Sequence, residues 1–336
     1  MRVLLTTLLT IGFITGMGCA QAQTATAKQA TTKPAADTTA KATTAPAPAK
    51  QLSVVAKVGD KEIKATEVER VIVGNQQAAA QRGKVIDMLV AQELIRQYLA
   101  SHKVECTADE LKAKKADLEQ IAKKADLTVE QVMLMKHMTD QDLRDQVAIE
   151  KLVKQQVDAK VADFIKNNPA AFDGTKVKAS HILIKIEPTA PTADQQAAKA
   201  KLEAILADIK AGKIKFDEAA KKFSDCPSKE KGGDLGEFTY GQMVAPFSKA
   251  AFNTPIGQTT GVIQTRFGYH VVLVTARTDG KEKPEAEAAK EAARGILTDL
   301  LQTEIFAQGA NGVKVEVYEK NQDMPMMMPQ GMPGGE

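Results

Sequence analysis

The sequence predicts an α+β protein, in which a small antiparallel sheet with short helices is inserted into a mainly helical body. Three observations carry that prediction. Helical periodicity with capping signals fills about residues 66–167. After Asn167-Asn168-Pro169 the pattern changes, and "VKASHILIKI" (177–186) alternates in the manner of a strand. Outside this segment, "SVVAKVGDKEI" (53–63) reads as an isolated hairpin, and "VKVEVY" (313–318) alternates with period two and has no partner nearby. Pairing the two makes the chain ends one unit, with the sheet module between them.

The N-terminus reads as an export signal. Arg2 is the positive end, Val3–Met17 is mostly apolar, and Ala20-Gln21-Ala22 offers a cleavage site. The stretch falls short of the ~20 apolar residues a spanning helix needs. Gly18-Cys19 also resembles the lipobox of bacterial lipoproteins, with Gly16 where that box normally has Leu, so Cys19 is a lipidation candidate. Both readings imply export to the periplasm or cell envelope, the second with a membrane anchor. Residues 23–50, built of Ala, Thr, Lys and Pro, bury too little to offset ordering entropy and read as a disordered tether.

Folded sequence starts with a hairpin turning at Gly59-Asp60. Capping boxes are expected at Thr66/Glu69, Thr107/Glu110, Thr128/Gln131 and Thr192/Gln195. Val85, Met88, Ala91, Ile95 and Leu99 recur at three- and four-residue steps and mark one buried helical face. Beyond the first strand come a helix over 192–212, a shorter one over 216–223, a glycine-rich stretch, and a short helix near 247–252. Strands follow near 261–265 and 269–276. A helix then starts at Pro284 and runs to about Phe306, and Asn311-Gly312 turns the chain into the last strand. The organisation expected is 1–22 signal, 23–50 linker, 51–172 helical domain completed by 283–319, 173–279 α+β module, and 320–336 disordered tail. The Met-rich tail could offer thioethers to Cu(I), but no His or Cys stands beside them.

Composition excludes some functions. With 45 basic against 42 acidic side chains the net charge is +3, which gives no basic field for nucleic acid. Aromatics are 4% with no Trp, so the cores rest on aliphatic side chains.

Candidate chemistry gathers in the module. Of four histidines, His181 lies on its first strand and His270 at the start of its last. Spacing alone favours two unrelated, partly buried imidazoles, although first and last strands of a small antiparallel sheet can be neighbours. Cys226, in "FSDCPSKEKGGDLGEF" (223–238), admits several roles. As a nucleophile it lacks any visible oxyanion-hole element. Zinc held by His181, Cys226 and His270 lacks a short-range ligand pair, and a Cys106–Cys226 disulfide would join two different predicted domains.

"ASHILIKI", "FSDCPSKEKGGDLGEFTYGQMVAPF" and "TRFGYHVVLV" resemble the parvulin-type peptidyl-prolyl cis/trans isomerases over about 177–277. The resemblance implies a four-stranded antiparallel sheet wrapped by four helices, with no cofactor and no metal. It further implies that His181 and His270 pair, that Thr265 joins their network, and that Cys226 faces the substrate peptide bond. Leu235, Met243 and Phe247 correspond to the pocket for the proline ring, Phe267 falls beside it, and Gln242 corresponds to a substrate contact. The stretch 185–196 has Lys185 but no arginine, so phosphate selectivity is not expected. The surroundings resemble PrsA/SurA-type exported foldases, which implies a chaperone body acting on unfolded exported chains with X-Pro bonds. A non-catalytic chaperone is the alternative. A cysteine hydrolase, by contrast, requires Cys226→Asp to be inactive, whereas an isomerase tolerates it.

Overall fold

The computed structural model describes residues 53–73, 81–135 and 138–319. The signal sequence with Cys19, the linker and the Met-rich tail lie outside the described residues.

β1 (Val54–Val58) and β2 (Lys61–Lys64) form the expected hairpin. β7 (Val315–Val317) pairs antiparallel with the other edge of β1, Ala56 opposite Val317 and Val58 opposite Val315. The order β2-β1-β7 thus joins the two ends of the described chain, as their alternation predicts. Helices α1 (Ala65–Ile72), α2 (Arg82–Ser101), α3 (Ala108–Lys123), α4 (Val129–Met135), α5 (Asp140–Gln156) and α6 (Val161–Asn167) follow β2. The face of α2 containing Val85, Leu94, Ile95 and Leu99 packs with Val55, Val58, Leu152 and Val315 into one core. Met88 lies at that core's margin.

Two of the four expected capping boxes form. Thr107 and Glu110 exchange hydrogen bonds of 2.8 and 3.2 Å, and Thr128 and Gln131 do the same. The other two do not. Because β2 runs straight into α1, Lys64 takes the cap position, its N–H donates to Glu67 Oε1, and Thr66 falls inside the helix. Thr192 is drawn away by a tertiary partner: its hydroxyl accepts from the Val315 N–H at 2.8 Å. Gln195 is buried and donates to the carbonyls of Pro188 and Ala190. A further box, Thr139 with Asp142, opens α5.

The second sheet contains β3 (Lys176–Lys185), β4 (Asp234–Thr239), β5 (Ile263–Thr265) and β6 (Gly268–Thr278), antiparallel throughout in the order β4-β3-β6-β5. β4 lies in the glycine-rich stretch, where composition hides the strand. α7 (Thr192–Lys210) and α8 (Phe216–Phe223) cover one face through Ile182, Ile184, Leu202, Phe216 and Val271. α9 (Ala245–Asn253) covers the other through Val177, Ala179, Phe247, Phe252, Val272 and Val274. Period two decides which residues face α9: His181 follows Ala179 on β3, and His270 precedes Val272 on β6.

α10 (Ala286–Asn311) starts behind Glu285, whose carboxylate accepts from two first-turn N–H groups, and it runs past Phe306. It reaches two of these clusters. Leu301 and Ile305 enter the first, while Ile296 packs against the cluster under α9.

Candidate active site

Strand register places the two histidines. His181 pairs with Val272 and His270 with Leu183, so the imidazoles are diagonal neighbours on one face of the β3–β6 ladder. Their Nδ1 atoms are 3.3 Å apart and the rings stack at 22°. The reading from spacing alone, two unrelated imidazoles, is therefore corrected: pairing of β3 with β6 brings residues 89 positions apart into contact.

Each outer nitrogen has a hydroxyl. His270 Nε2 lies 2.9 Å from Thr265 Oγ1, and His181 Nε2 lies 3.1 Å from Ser228 Oγ. Thr265 Oγ1 also accepts from the Phe267 N–H at 3.1 Å. The result is a continuous chain, Ser228–His181–His270–Thr265. Both imidazoles and Thr265 are at most 4% exposed. Phe247 closes the chain on one side, its ring edge-on to His181 at 5.8 Å and to His270 at 5.5 Å.

Burial pushes the His270 pKa down to about 3, and a positive charge on His181 would push it the same way. His270 is therefore neutral near pH 7, with one nitrogen donating and the other accepting. The Nδ1–Nδ1 contact holds one proton when both rings are neutral. Donation then runs through the chain in one direction or the other, and a reversal requires every member to switch.

The loop after α8 is fastened to β3. Ser224 Oγ accepts from the Leu183 and Cys226 N–H groups, and Asp225 Oδ2 accepts from the Lys185 N–H at 2.9 Å. Cys226 is 1% exposed and stands at the head of the 3-10 turn Pro227–Lys231, which carries Ser228. Gly233 is required where this loop meets β3. Its φ is +84°, and a Cβ there would lie 2.3 Å from the His181 carbonyl oxygen.

Three of the residues expected around the proline ring share one cluster. Leu235 and Met243 are half-buried against the cluster that contains Phe247. Phe267 is 36% exposed beside Thr265. Gln242 is exposed, and its Oε1 accepts from the Thr239 N–H at 2.7 Å.

The alternative chemistries for Cys226 lose ground. His181 Nε2, at the end of the imidazole pair nearer this loop, is engaged by Ser228. Among the described residues no group of three or more His, Cys, Asp or Glu is placed to hold a metal, and Cys106 and Cys226 are not joined. Ser228 and Ser224 were missed from sequence, where a serine beside Cys-Pro carries no signal of its own.

Residues 181–276 match the rotamase family, described as a PPIC-type PPIase domain. A peptidyl-prolyl cis-trans isomerase Pin1 from Malus domestica is 37% identical over 115 residues, covering 30% of this chain and 95% of the relative. A foldase protein PrsA from a Geobacillus species is 32% identical over 206 residues, 60% of this chain and 67% of the relative. A chaperone SurA from Alkalilimnicola ehrlichii is 27% identical over 264 residues, 71% of this chain and 60% of the relative.

Proposed function

The chain belongs to the PPIC-type peptidyl-prolyl cis/trans isomerases, and from that premise we propose that the His181–His270 site carries the isomerisation inside an exported foldase. The observation that carries the reading is the buried imidazole pair, hydroxyl-capped at both ends and walled by Phe247.

The reaction is rotation about an X–Pro bond, whose partial double-bond character sets a barrier of ~18–20 kcal/mol. No bond need break. Leu235, Met243 and Phe247 offer the prolyl ring a dry surface, and removing water disfavours the planar, charge-separated amide. Neutral donors in the imidazole–hydroxyl chain can follow the carbonyl as it twists, or hold the ring orientations beside it. Lowering the barrier by about 4 kcal/mol gives roughly a thousandfold. In this reading Cys226 is a polarisable wall, Phe267 flanks the ring, and Gln242, through its backbone or side chain, contacts the substrate beside Met243.

The loop after β3 supports a preference for unphosphorylated chains. Instead of presenting an arginine cluster, it turns toward α2 and β7, with Thr189 donating to Asp87 at 3.3 Å and Thr192 holding Val315. In this reading the chain divides into an isomerase module (173–279) and a chaperone body (51–172 with 283–319); the separate cluster around Val58 and Leu94 supports the division, while Phe164 and Ile296 reach from the body into the module's cluster. Ile121, Leu134 and Met135 stand exposed on α3 and α4 and suit a surface that holds unfolded chains. Export rests on the N-terminal sequence. The intact mass of the mature N-terminus separates a lipid on Cys19 from a start near Gln23.

A protease-free isomerisation assay on a short X-Pro peptide tests the central reading. Acceleration by the wild type and its loss in His181→Ala support it. A wild-type rate equal to buffer, with client aggregation still suppressed, would leave a holding chaperone.

A further inference from the structure

We infer that Asp299, on the return helix α10, is a positioning residue for the prolyl pocket and couples the helical body to the isomerase site; the inference rests on the isomerase reading above. The observation begins with a missing cap. α9 opens at Val244, a residue with no side-chain acceptor, and no side chain at that position caps the helix. Pro246, in its first turn, has no N–H to satisfy. The Ala245 N–H does need a partner, and it donates to Asp299 Oδ2 at 2.6 Å. The cap that the local sequence lacks is thus supplied from 54 residues away in another element. A carboxylate in this place also complements the positive end of the helix dipole.

Position makes this cap matter for the pocket. Met243 lies just before Ala245 and Phe247 just after it, so both walls move with the first turn of α9. The far end of α9 is held differently. Arg277, from β6 of the same sheet, donates through Nη2 to the carbonyls of Ala251, Phe252 and Thr254. At the pocket end the capping side chain comes from the body. Beside that tie a crevice of about 540 Å³ opens between Pro246, Lys249 and Ala250 of α9, residues 261–263 before and in β5, and Leu300 and Thr303 of α10. Ile296, one turn before Asp299, packs into the cluster that contains Phe247. Asp299 and Ile296 therefore hold the start of α9 against α10, and the crevice opens beside that contact.

The test uses the full chain and three variants, D299A, D299N and I305A. An asparagine oxygen can still accept from the Ala245 N–H, whereas alanine cannot. Ile305 lies on the same helix but in the other core. D299A is expected to lower kcat/KM on an X-Pro peptide about fivefold, mainly through KM, the factor that a lost helix cap carries. D299N is expected to recover to within twofold, and I305A to lower Tm while leaving kcat/KM of the folded protein unchanged. In methyl-labelled protein the Met243 methyl resonance should shift in D299A and return in D299N. Wild-type kcat/KM and an unmoved Met243 methyl in D299A would overturn the coupling. So would an equal loss in D299A and I305A, which would mean general destabilisation. An inert wild type would remove the isomerase reading instead, and the methyl resonance would still decide whether Asp299 sets the pocket.

Discussion

Acidification offers a quantitative test of the buried imidazole pair. His270 titrates at about 3 in the folded protein because burial disfavours its charged form. In the unfolded chain a histidine titrates near 6.5. Above that value neither state binds the proton, so the depressed pKa costs nothing. Between pH 6.5 and 3 the unfolded chain takes up a proton that the folded protein refuses, so stability falls as pH falls. At 1.36 kcal/mol per pH unit at full slope, lowering the pH from 6.5 to 4.5 removes on the order of 2 kcal/mol through this one residue. That is a large part of the 5–15 kcal/mol typical of a folded protein.

Carboxylates also titrate over part of this range, so the comparison has to isolate His270. His270→Gln keeps a donor and an acceptor but cannot be protonated. Urea unfolding at pH 7.0 and 4.5, followed by circular dichroism, should show His270→Gln less stable than wild type at pH 7.0, by about 1–2 kcal/mol for an imperfect buried hydrogen bond. Its further loss on acidification should be about 2–3 kcal/mol smaller than that of wild type. Equal losses in the two proteins would refute the assignment of a buried, neutral His270.

Other perturbations probe the same site. Thr265→Val removes the hydroxyl on His270 Nε2 and strands the Phe267 N–H, so unfolding should show about 1–3 kcal/mol lost and the peptide assay a slower rate. Gly233→Ala forces a side chain into a left-handed φ and against the His181 carbonyl; about 1–2 kcal/mol is expected from φ alone, with Tm lowered by several degrees, and an unchanged Tm would contradict the close approach. Phe247→Ala should cost about 3–5 kcal/mol as a buried aromatic touching both imidazoles. With a thiol reagent, Cys106 should be modified before the covered Cys226, and Cys226→Ala should retain most of its isomerase rate.

How much of this was legible depended on how far the physical cause lay from the residue. Alternation in 53–63 and 313–318 was enough to pair the chain ends, because each strand needed a partner and no other was on offer. Thr107 and Thr128 cap as expected because their partners are three residues away. Thr192 failed because the Val315 N–H, 123 residues distant, competes for its hydroxyl. The histidine pair was invisible to spacing and emerged from motif resemblance, since only strand register makes residues 181 and 270 diagonal neighbours. Ser228 gave no signal, as any short polar residue suits a 3-10 turn after proline.

The two cores also constrain the order in which the molecule can be completed. Every strand of the four-stranded sheet lies between Lys176 and Thr278, so its ladder closes within that one segment. The other sheet needs Val315–Val317 against Val54–Val58, a closure across most of the described chain and an entropically expensive one. α10 stands between these events, contributing Ile296 to the cluster under α9 and Ile305 to the core around β1 and α2. Once the four-stranded sheet and α9 exist, docking α10 through Ile296 and Asp299 brings β7 back toward β1 and shortens the remaining loop. The contact between α10 and the start of α9 thus also helps deliver the last strand, so refolding of D299A should show a slower completion of the three-stranded sheet.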